Sequence, residues 1–134
     1  MTEVIKKKRG PKKGSSYAVR PKHYVVNRIP TIHLFDICDF GFYNGCAVKY
    51  LLRHSNRKKR SDLLKAMFYL ERACCYSIAL ATEANRFLKD IYPDKGPYYE
   101  SINAILAGNR ELAISIIKKD ILQEEECGNG CAQN

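Results

Sequence analysis

Charged and aromatic side chains recur at helical spacing in the middle of the chain. Lys49 and Arg53 are four residues apart, and Asp62, Lys65 and Tyr69 follow at intervals of three and four. Residues three and four apart share one face of a helix. Arginine offers a two-pronged donor to a phosphate, lysine a compact ammonium, and tyrosine a ring on which a base can stack. The pattern favours a site for a phosphate-bearing ligand, in which Asp62 orients a cation or a sugar hydroxyl.

A solvated helix face is the competing interpretation of the same residues. Charged residues at helical intervals are typical of the wet side of any amphipathic helix. A basic connector, residues 55–60, separates the two sets and adds the cations Lys58 to Arg60. Helices joined by so short a connector usually lie antiparallel, which would bring the two charged faces together. On spacing alone, the solvated face is the simpler interpretation.

Helices are predicted on both sides of this connector. Thr31 is a suitable N-cap for a short helix that runs to about Asp39. Gly41 and the pair Asn44-Gly45 mark a turn, and a second helix is expected over residues 46–54. This second helix carries the first pair of cations.

A long helix is predicted after the connector. Ser61 is a good N-cap, and Asp62 would lie in the first turn, where the helix dipole favours a carboxylate. Apolar residues at three- and four-residue spacing run from Leu63 to Ala81, which predicts one central helix of about five turns. A polar and aromatic stripe that includes Tyr69 follows its other side.

Two further helices are predicted toward the C-terminus. Pro93 and Gly96-Pro97 break the chain before a helix over residues 98–107. Asn109 is the expected N-cap of a last helix, residues 111–123. Its inward side chains are expected to be Leu112, Ile116, Ile117 and Ile121. Because no apolar and polar residues alternate over a strand's length, the predicted fold class is all-α, a helical hairpin core with additional C-terminal helices.

The 134 residues are predicted to form three parts, and the first of them is set apart by its charge. The net charge is +9, yet residues 1–28 hold nine Lys/Arg against Glu3 alone, and the remainder is nearly balanced. Residues 1–20 show no apolar periodicity and are predicted to form a disordered basic arm. Residues 21–123 are expected to form a single helical domain, and residues 124–134 a flexible tail.

The basic arm is the alternative place for a function. Its clustered cations are Lys6, Lys7, Lys8, Arg9, Lys12 and Lys13. Such a cluster attracts phosphates without reading sequence, and it also resembles minor-groove arms and nuclear localisation runs. The arm therefore predicts nucleic-acid binding as the rival of a ligand site on the hairpin.

Several classes of protein are disfavoured. The longest run without a charged side chain is ten residues, 73–82, too short for a membrane helix of about 20, so no membrane partner is expected. No signal peptide is recognisable, which favours reduced thiols for the six cysteines. The cysteines and histidines lack zinc-site spacing, and no phosphate-loop or hydrolase motif occurs. Neither a metal nor a cofactor is predicted.

One part of the chain resembles a known family. It reads Gly45-Cys46-Ala47-Val48-Lys49-Tyr50-Leu51-Leu52-Arg53, then Lys58, then Asp62-Leu63-Leu64-Lys65-Ala66-Met67-Phe68-Tyr69-Leu70, after the pair His23-Tyr24. This order resembles the signature of the SaV-like family of bacteriophage proteins, over residues 22–72. The family's Asn after the first Gly is Cys46 here, and a thiol lacks the paired donor and acceptor of an amide.

The resemblance implies a phage accessory protein that handles nucleotides in the host cytoplasm. The family includes a small nucleotide kinase that has no P-loop and phosphorylates deoxynucleoside monophosphates. A phosphotransferase of this kind would use Asp62 and Lys65 as catalytic residues. The ligand-binding candidates are His23, Tyr24, Lys49, Arg53, Lys58 and Tyr69.

Two alternatives to catalysis stay open. A protein that only binds would tune host metabolism during host takeover or sequester a signalling nucleotide in defence evasion. A nucleic-acid-binding or host-inhibiting protein would work through the arm or a helical surface. A homo-oligomer is expected in either case, because short hairpins with a long apolar stripe often complete their core against a partner.

Overall fold

The computed structural model describes residues 24–74, 77–78 and 81–123. Over these residues the chain is mostly helical. The helices are α1 Ile32–Ile37, α2 Phe42–Arg57, α3 Arg60–Arg72, α4 Ala81–Ile91, α5 Pro97–Leu106 and α6 Arg110–Ile116, and α6 continues as a π-helical stretch over Ile117–Leu122. Strands β1 Val25–Val26 and β2 Ile29–Pro30 form one short antiparallel hairpin. The all-α prediction is confirmed, with this small hairpin added.

The β-hairpin anchors Tyr24 beside the first helix. Asn27 and Arg28 have φ values of 52° and 66°, the positive pair that a type I′ turn requires. Thr31 was predicted to cap α1, but its side chain makes no capping hydrogen bond. Its backbone nitrogen and its Oγ1 instead both donate to the carbonyl of Tyr24, at 2.9 and 2.7 Å. The backbone before α1 is thereby tied to the helix start.

The α2–α3 hairpin is tighter than predicted. Helix α2 begins at Phe42, after Gly41 with a φ of 78°, so Asn44 and Gly45 lie inside the helix rather than in a turn. It also runs on to Arg57, and only Lys58 and Lys59 separate it from α3. Lys58 takes the left-handed conformation, φ 58° and ψ 36°, which ends α2 and reverses the chain.

The prediction of one long helix from Leu63 to Ala81 is wrong. Helix α3 ends at Arg72, and Ala73 is extended, with a ψ of 151°. The carbonyl of Ala73 accepts a hydrogen bond of 2.7 Å from Arg110 Nη1, and the amide of Ile78 donates to the carbonyl of Leu106 at 2.9 Å. Ala73 and Ile78 are both buried against the α5–α6 corner. Their backbone groups therefore need partners inside the fold, and these bonds replace those of a continuing helix.

Ser61 also differs from its predicted place. It is the second residue of α3, which begins at Arg60 after Lys59, and no side chain caps this end. Asp62 lies in the first turn, as predicted. The helix start is instead held by an ion pair across the turn, described below.

One core joins the helices. Its fully enclosed side chains include Ala47, Val48, Leu51 and Leu52 of α2, Leu63, Ala66 and Leu70 of α3, Leu88 of α4, Ile102 and Leu106 of α5, and Ile117 beyond α6. Of the predicted inward set of the last helix, Ile116, Ile117 and Ile121 are buried, but Leu112 is 46% exposed. Ala113 is buried in its place. Asn109 caps α6 as predicted, since its Oδ1 accepts from the amide of Leu112 at 3.2 Å.

The predicted arm over residues 1–20 and tail over residues 124–134 lie outside the described residues. Among the helices that the structure describes, none combines the length and the apolar character needed to span a bilayer.

Candidate functional site

The hairpin gathers three cations around one tyrosine ring. Lys49 Nζ lies 5.0 Å, Lys65 Nζ 5.4 Å and Arg53 Cζ 5.6 Å from the centroid of the Tyr50 ring. Lys49, Tyr50 and Arg53 come from α2 and Lys65 from α3, so Lys65 reaches the Tyr50 ring only when the two helices pack. Each cation over a ring contributes about 0.5 to 1 kcal/mol at an exposed site. We call these four residues the Tyr50 cluster.

Two more tyrosine rings, those of Tyr24 and Tyr69, contact the Tyr50 cluster. The guanidinium carbon of Arg53 lies 5.5 Å from the centroid of the Tyr24 ring, so this side chain contacts two aromatic rings. Tyr69 stacks on Tyr50, with centroids 5.9 Å apart and planes 5° from parallel. The structure thus brings Lys49, Arg53, Lys65 and Tyr69 together, as the hairpin argument predicted, and adds Tyr24, a candidate that only the family resemblance implied. Their role as ligand-binding residues stays a prediction.

The charges of the Tyr50 cluster are not neutralised within the described part of the chain. No carboxylate there forms an ion pair with Lys49, Arg53 or Lys65. Arg53 Nε is buried and has no hydrogen-bond acceptor among the described residues. A buried donor without an acceptor costs about 1 to 3 kcal/mol, and three like charges around one ring repel one another. An anion seated among these side chains would relieve both costs.

Asp62 has a different place from the one predicted for a catalytic residue. Its side chain is fully enclosed, and Arg57 binds both carboxylate oxygens, from Nε at 2.9 Å and from Nη2 at 3.2 Å. This hydrogen bonding raises the pKa of Arg57. A ligand could reach the carboxylate of Asp62 only after this pair opened. In the structure Asp62 forms the ion pair that closes the α2–α3 turn, and its catalytic role stays a prediction.

Sequence reasoning missed Arg57. Arg57 lies in the predicted polar connector, residues 55–60, for which the sequence indicates no fixed partner. The signal was present, because a basic residue five positions before an acidic one can bridge a two-residue turn between helices. Recognising it required the true end of α2, which the left-handed Lys58 sets.

Lys58 joins a second group of side chains rather than the Tyr50 cluster. Its Nζ donates to the hydroxyl of Tyr98 at 3.1 Å and lies 4.9 Å from that ring's centroid. The same hydroxyl lies 2.7 Å from His54 Nδ1, and Tyr92 stacks on the Tyr98 ring at 5.9 Å. We call His54, Lys58, Tyr92 and Tyr98 the Tyr98 cluster. The left-handed backbone of Lys58 directs its side chain toward α5, away from the predicted site.

A hydrogen bond inside the fold also holds the Tyr92 ring of the Tyr98 cluster in place. The Tyr92 hydroxyl donates to Ser55 Oγ at 2.8 Å, and burial raises the pKa of Tyr92 to about 12. Partners such as Ser55 and Tyr92, or His54 and Tyr98, are far apart in sequence, so no local pattern could have predicted this cluster.

Other predicted site residues fall outside what the structure describes. His23 and the arm cations Lys6, Lys7, Lys8, Arg9, Lys12 and Lys13 are in this group. Among the described histidines, cysteines and carboxylates, no group of three or more is placed to hold a metal ion. The described cysteines Cys38, Cys46 and Cys74 are free thiols, and burial is the main cause that raises the pKa of Cys38.

Comparisons with protein-family models, with curated proteins and with solved structures gave no match to this chain. The resemblance to the SaV-like family therefore stays a prediction, and a functional assignment depends on the geometry of the Tyr50 cluster.

Proposed function

We propose that this protein binds a nucleotide, or a nucleotide-like phosphate compound, at the Tyr50 cluster. The observation that supports the proposal most directly is the set of three cations without a described carboxylate partner, together with the unpaired Nε of Arg53. Lysine and arginine in this proportion suit a phosphate, since the guanidinium can bind two oxygens and the ammonium groups add charge.

The rings add a reason to prefer a nucleotide over free phosphate. Tyr50 and Tyr69 form a stacked pair beside the cations, and Tyr24 lies against Arg53. Aromatic side chains bind bases by stacking, with little preference for the base. A ligand that carries a phosphate and a base would use both features of this surface.

Binding is better supported than phosphoryl transfer. Transfer depends on close alignment of donor and acceptor groups, and the predicted catalytic carboxylate, Asp62, is enclosed by Arg57. The likeness to phage proteins agrees with an accessory protein that sequesters or senses a nucleotide in an infected host. A nucleoside monophosphate kinase activity claims more than binding does, and it needs its own assay.

Thermal unfolding in the presence of candidate ligands tests the proposal. The ligands are nucleoside mono-, di- and triphosphates, cyclic nucleotides and inorganic phosphate. A compound at 100 times its dissociation constant should add about 2.7 kcal/mol to the free energy of unfolding. Lys65→Gln should remove most of that gain, whereas Lys119→Gln, which removes the same charge from an exposed position on another helix, should retain it. The absence of a shift with every compound would contradict the proposal.

The kinase form is tested separately. The full chain is mixed with a nucleoside triphosphate, magnesium and a deoxynucleoside monophosphate, and the diphosphate product is measured. Formation of product that Lys65→Gln abolishes would support transfer. Binding without product would leave the protein as a nucleotide-binding protein only.

A further inference from the structure

A row of exposed rings continues from the Tyr50 cluster along the hairpin. Phe42 is 71% exposed, Tyr43 42% and Phe68 48%. All three contact the ring of Tyr69, with centroid distances of 6.1, 6.3 and 5.3 Å. We call Phe42, Tyr43, Phe68 and Tyr69 the ring strip. Since Tyr69 also stacks on Tyr50, the strip and the Tyr50 cluster form one continuous surface.

Cations lie at both ends of the ring strip. The guanidinium carbon of Arg72 is 4.4 Å from the centroid of Phe68, and Lys65 is at the other end, over Tyr50. Neither cation has a carboxylate partner within the described ranges. The two cations are seven positions apart on α3, a rise of about 10 Å, which exceeds the rise of about 3.4 Å per nucleotide along the axis of a stacked strand. One mononucleotide phosphate would therefore leave an end unused.

We propose that the ring strip and the Tyr50 cluster together bind single-stranded nucleic acid. The phosphates lie against Arg72 and against Lys49, Arg53 and Lys65, and the bases stack on the exposed rings between them. This inference rests on the proposed function, because the Tyr50 cluster supplies one of the two phosphate subsites. Single strands are favoured over duplexes, since the bases of a duplex are already stacked on each other and cannot cover the rings.

A second copy of this chain is a less suitable occupant of the same surface. A two-fold interface would place the same patch of each protomer against the other. The cations at the ends of the ring strip would then face cations without described carboxylates to neutralise them, and like charges in an interface oppose association. A polyanion with flat apolar groups complements both the charge and the rings.

Fluorescence anisotropy of labelled single strands tests the inference. The probes are oligothymidylate and oligouridylate of about ten nucleotides, the same oligothymidylate paired with its complement, and thymidine monophosphate as an unlabelled competitor. The full chain is used, so that any contribution of the basic arm is equal in every variant. Single strands should bind more tightly than the duplex and than thymidine monophosphate, and the two single-stranded probes separate a DNA preference from an RNA preference.

Variants separate the ring strip from the Tyr50 cluster. Phe42→Ala and Phe68→Ala should each weaken single-strand binding by roughly 5- to 150-fold, while binding of thymidine monophosphate changes little. Lys65→Gln should weaken both. Leu112→Ala, which removes an apolar side chain of similar exposure from α6, is the matched control and should change neither. Circular dichroism confirms that each variant is folded.

The possible failures are distinct. If thymidine monophosphate binds but single strands bind no more tightly than the duplex, the ring-strip inference is wrong and the proposed function stands. If no probe binds, the ring-strip inference is wrong, and the thermal-unfolding series with the other nucleotides decides the proposed function. If sedimentation shows a dimer of the parent protein that Phe42→Ala and Phe68→Ala dissociate, the strip is an interface between copies, and the inference is overturned in that way.

Discussion

Two groups of side chains at the α2–α3 hairpin use similar residues but differ in how far their polar groups are hydrogen-bonded within the fold. In the Tyr98 cluster, Lys58 donates to the Tyr98 hydroxyl and His54 lies within hydrogen-bond distance of the same atom. In the Tyr50 cluster, the cations lie over the ring faces, and the buried Nε of Arg53 has no acceptor in the described structure.

The difference shows that residue types alone do not make a site. Polar groups that find partners inside a fold contribute to its stability and specificity, whereas a concentration of donors without acceptors calls for a further explanation. We therefore assign the Tyr98 cluster to the architecture of the protein and propose ligand binding for the Tyr50 cluster. Substitutions in each cluster should have separate consequences.

The largest expected effect concerns the ion pair that closes the turn between α2 and α3, on which both clusters depend. Arg57→Met leaves the enclosed carboxylate of Asp62 without its partner, and an enclosed charge that has lost its partner is strongly destabilising. Urea unfolding followed by circular dichroism measures the loss. Arg86→Met, which makes the same substitution at an exposed position of α4, is the control and should cost less than about 0.5 kcal/mol. A loss of that small size at Arg57 would mean that the pair does not hold the turn.

A smaller effect should appear at alkaline pH in the Tyr98 cluster. The pKa of Tyr92 is about 12 in the folded protein, above the ordinary value of about 10, so the unfolded chain releases this proton first. The contribution of Tyr92 is therefore fully present below pH 10 and is lost as the pH rises to about 12. The loss amounts to roughly 2 to 3 kcal/mol.

Tyr92→Phe isolates this contribution from the titration of other tyrosines and lysines. The free energy of unfolding of the parent protein should fall more steeply between pH 10 and 12 than that of the variant. Parallel pH profiles for the two proteins would show that burial of the Tyr92 hydroxyl does not control its proton.

The smallest effect separates the clusters from each other. Tyr98→Phe removes the hydroxyl that Lys58 and His54 bond, which should cost about 1 kcal/mol of stability. The same variant should keep the full thermal shift with the ligand of the Tyr50 cluster. Loss of that shift in a folded Tyr98→Phe protein would show that the two clusters are coupled, and the contrast drawn between them would fail.

The convergence of Lys49, Arg53 and Lys65 could be predicted from the sequence because it depends on local rules. Helical spacing places residues on one face, and a short connector brings adjacent helices together. The break at Gly96-Pro97 and the cap at Asn109 are local too, and α5 and α6 each begin one residue before the predicted start.

Features set by distant residues could not be predicted. Helix α3 ends at Arg72 because Arg110, far along the chain, bonds the carbonyl of Ala73. Lys58 was assigned to the site by its neighbours in sequence, yet its left-handed backbone directs it to Tyr98. Leu112 was placed in the core by periodicity, but a register shift of one residue buries Ala113 instead. In each case a tertiary contact decided between conformations that the local sequence allows.

The most direct test of the central claim compares two lysines of the same hairpin. Lys65→Gln and Lys58→Gln remove one positive charge each, from the Tyr50 cluster and from the Tyr98 cluster. Calorimetry measures the dissociation constant of the nucleoside phosphate that gives the largest thermal shift. If the Tyr50 cluster binds the phosphate, Lys65→Gln should weaken binding by roughly 10- to 150-fold, as expected for a lost charge-assisted donor, and Lys58→Gln should leave it nearly unchanged. Equal weakening by both substitutions, or none by either, would contradict the assignment of ligand binding to the Tyr50 cluster.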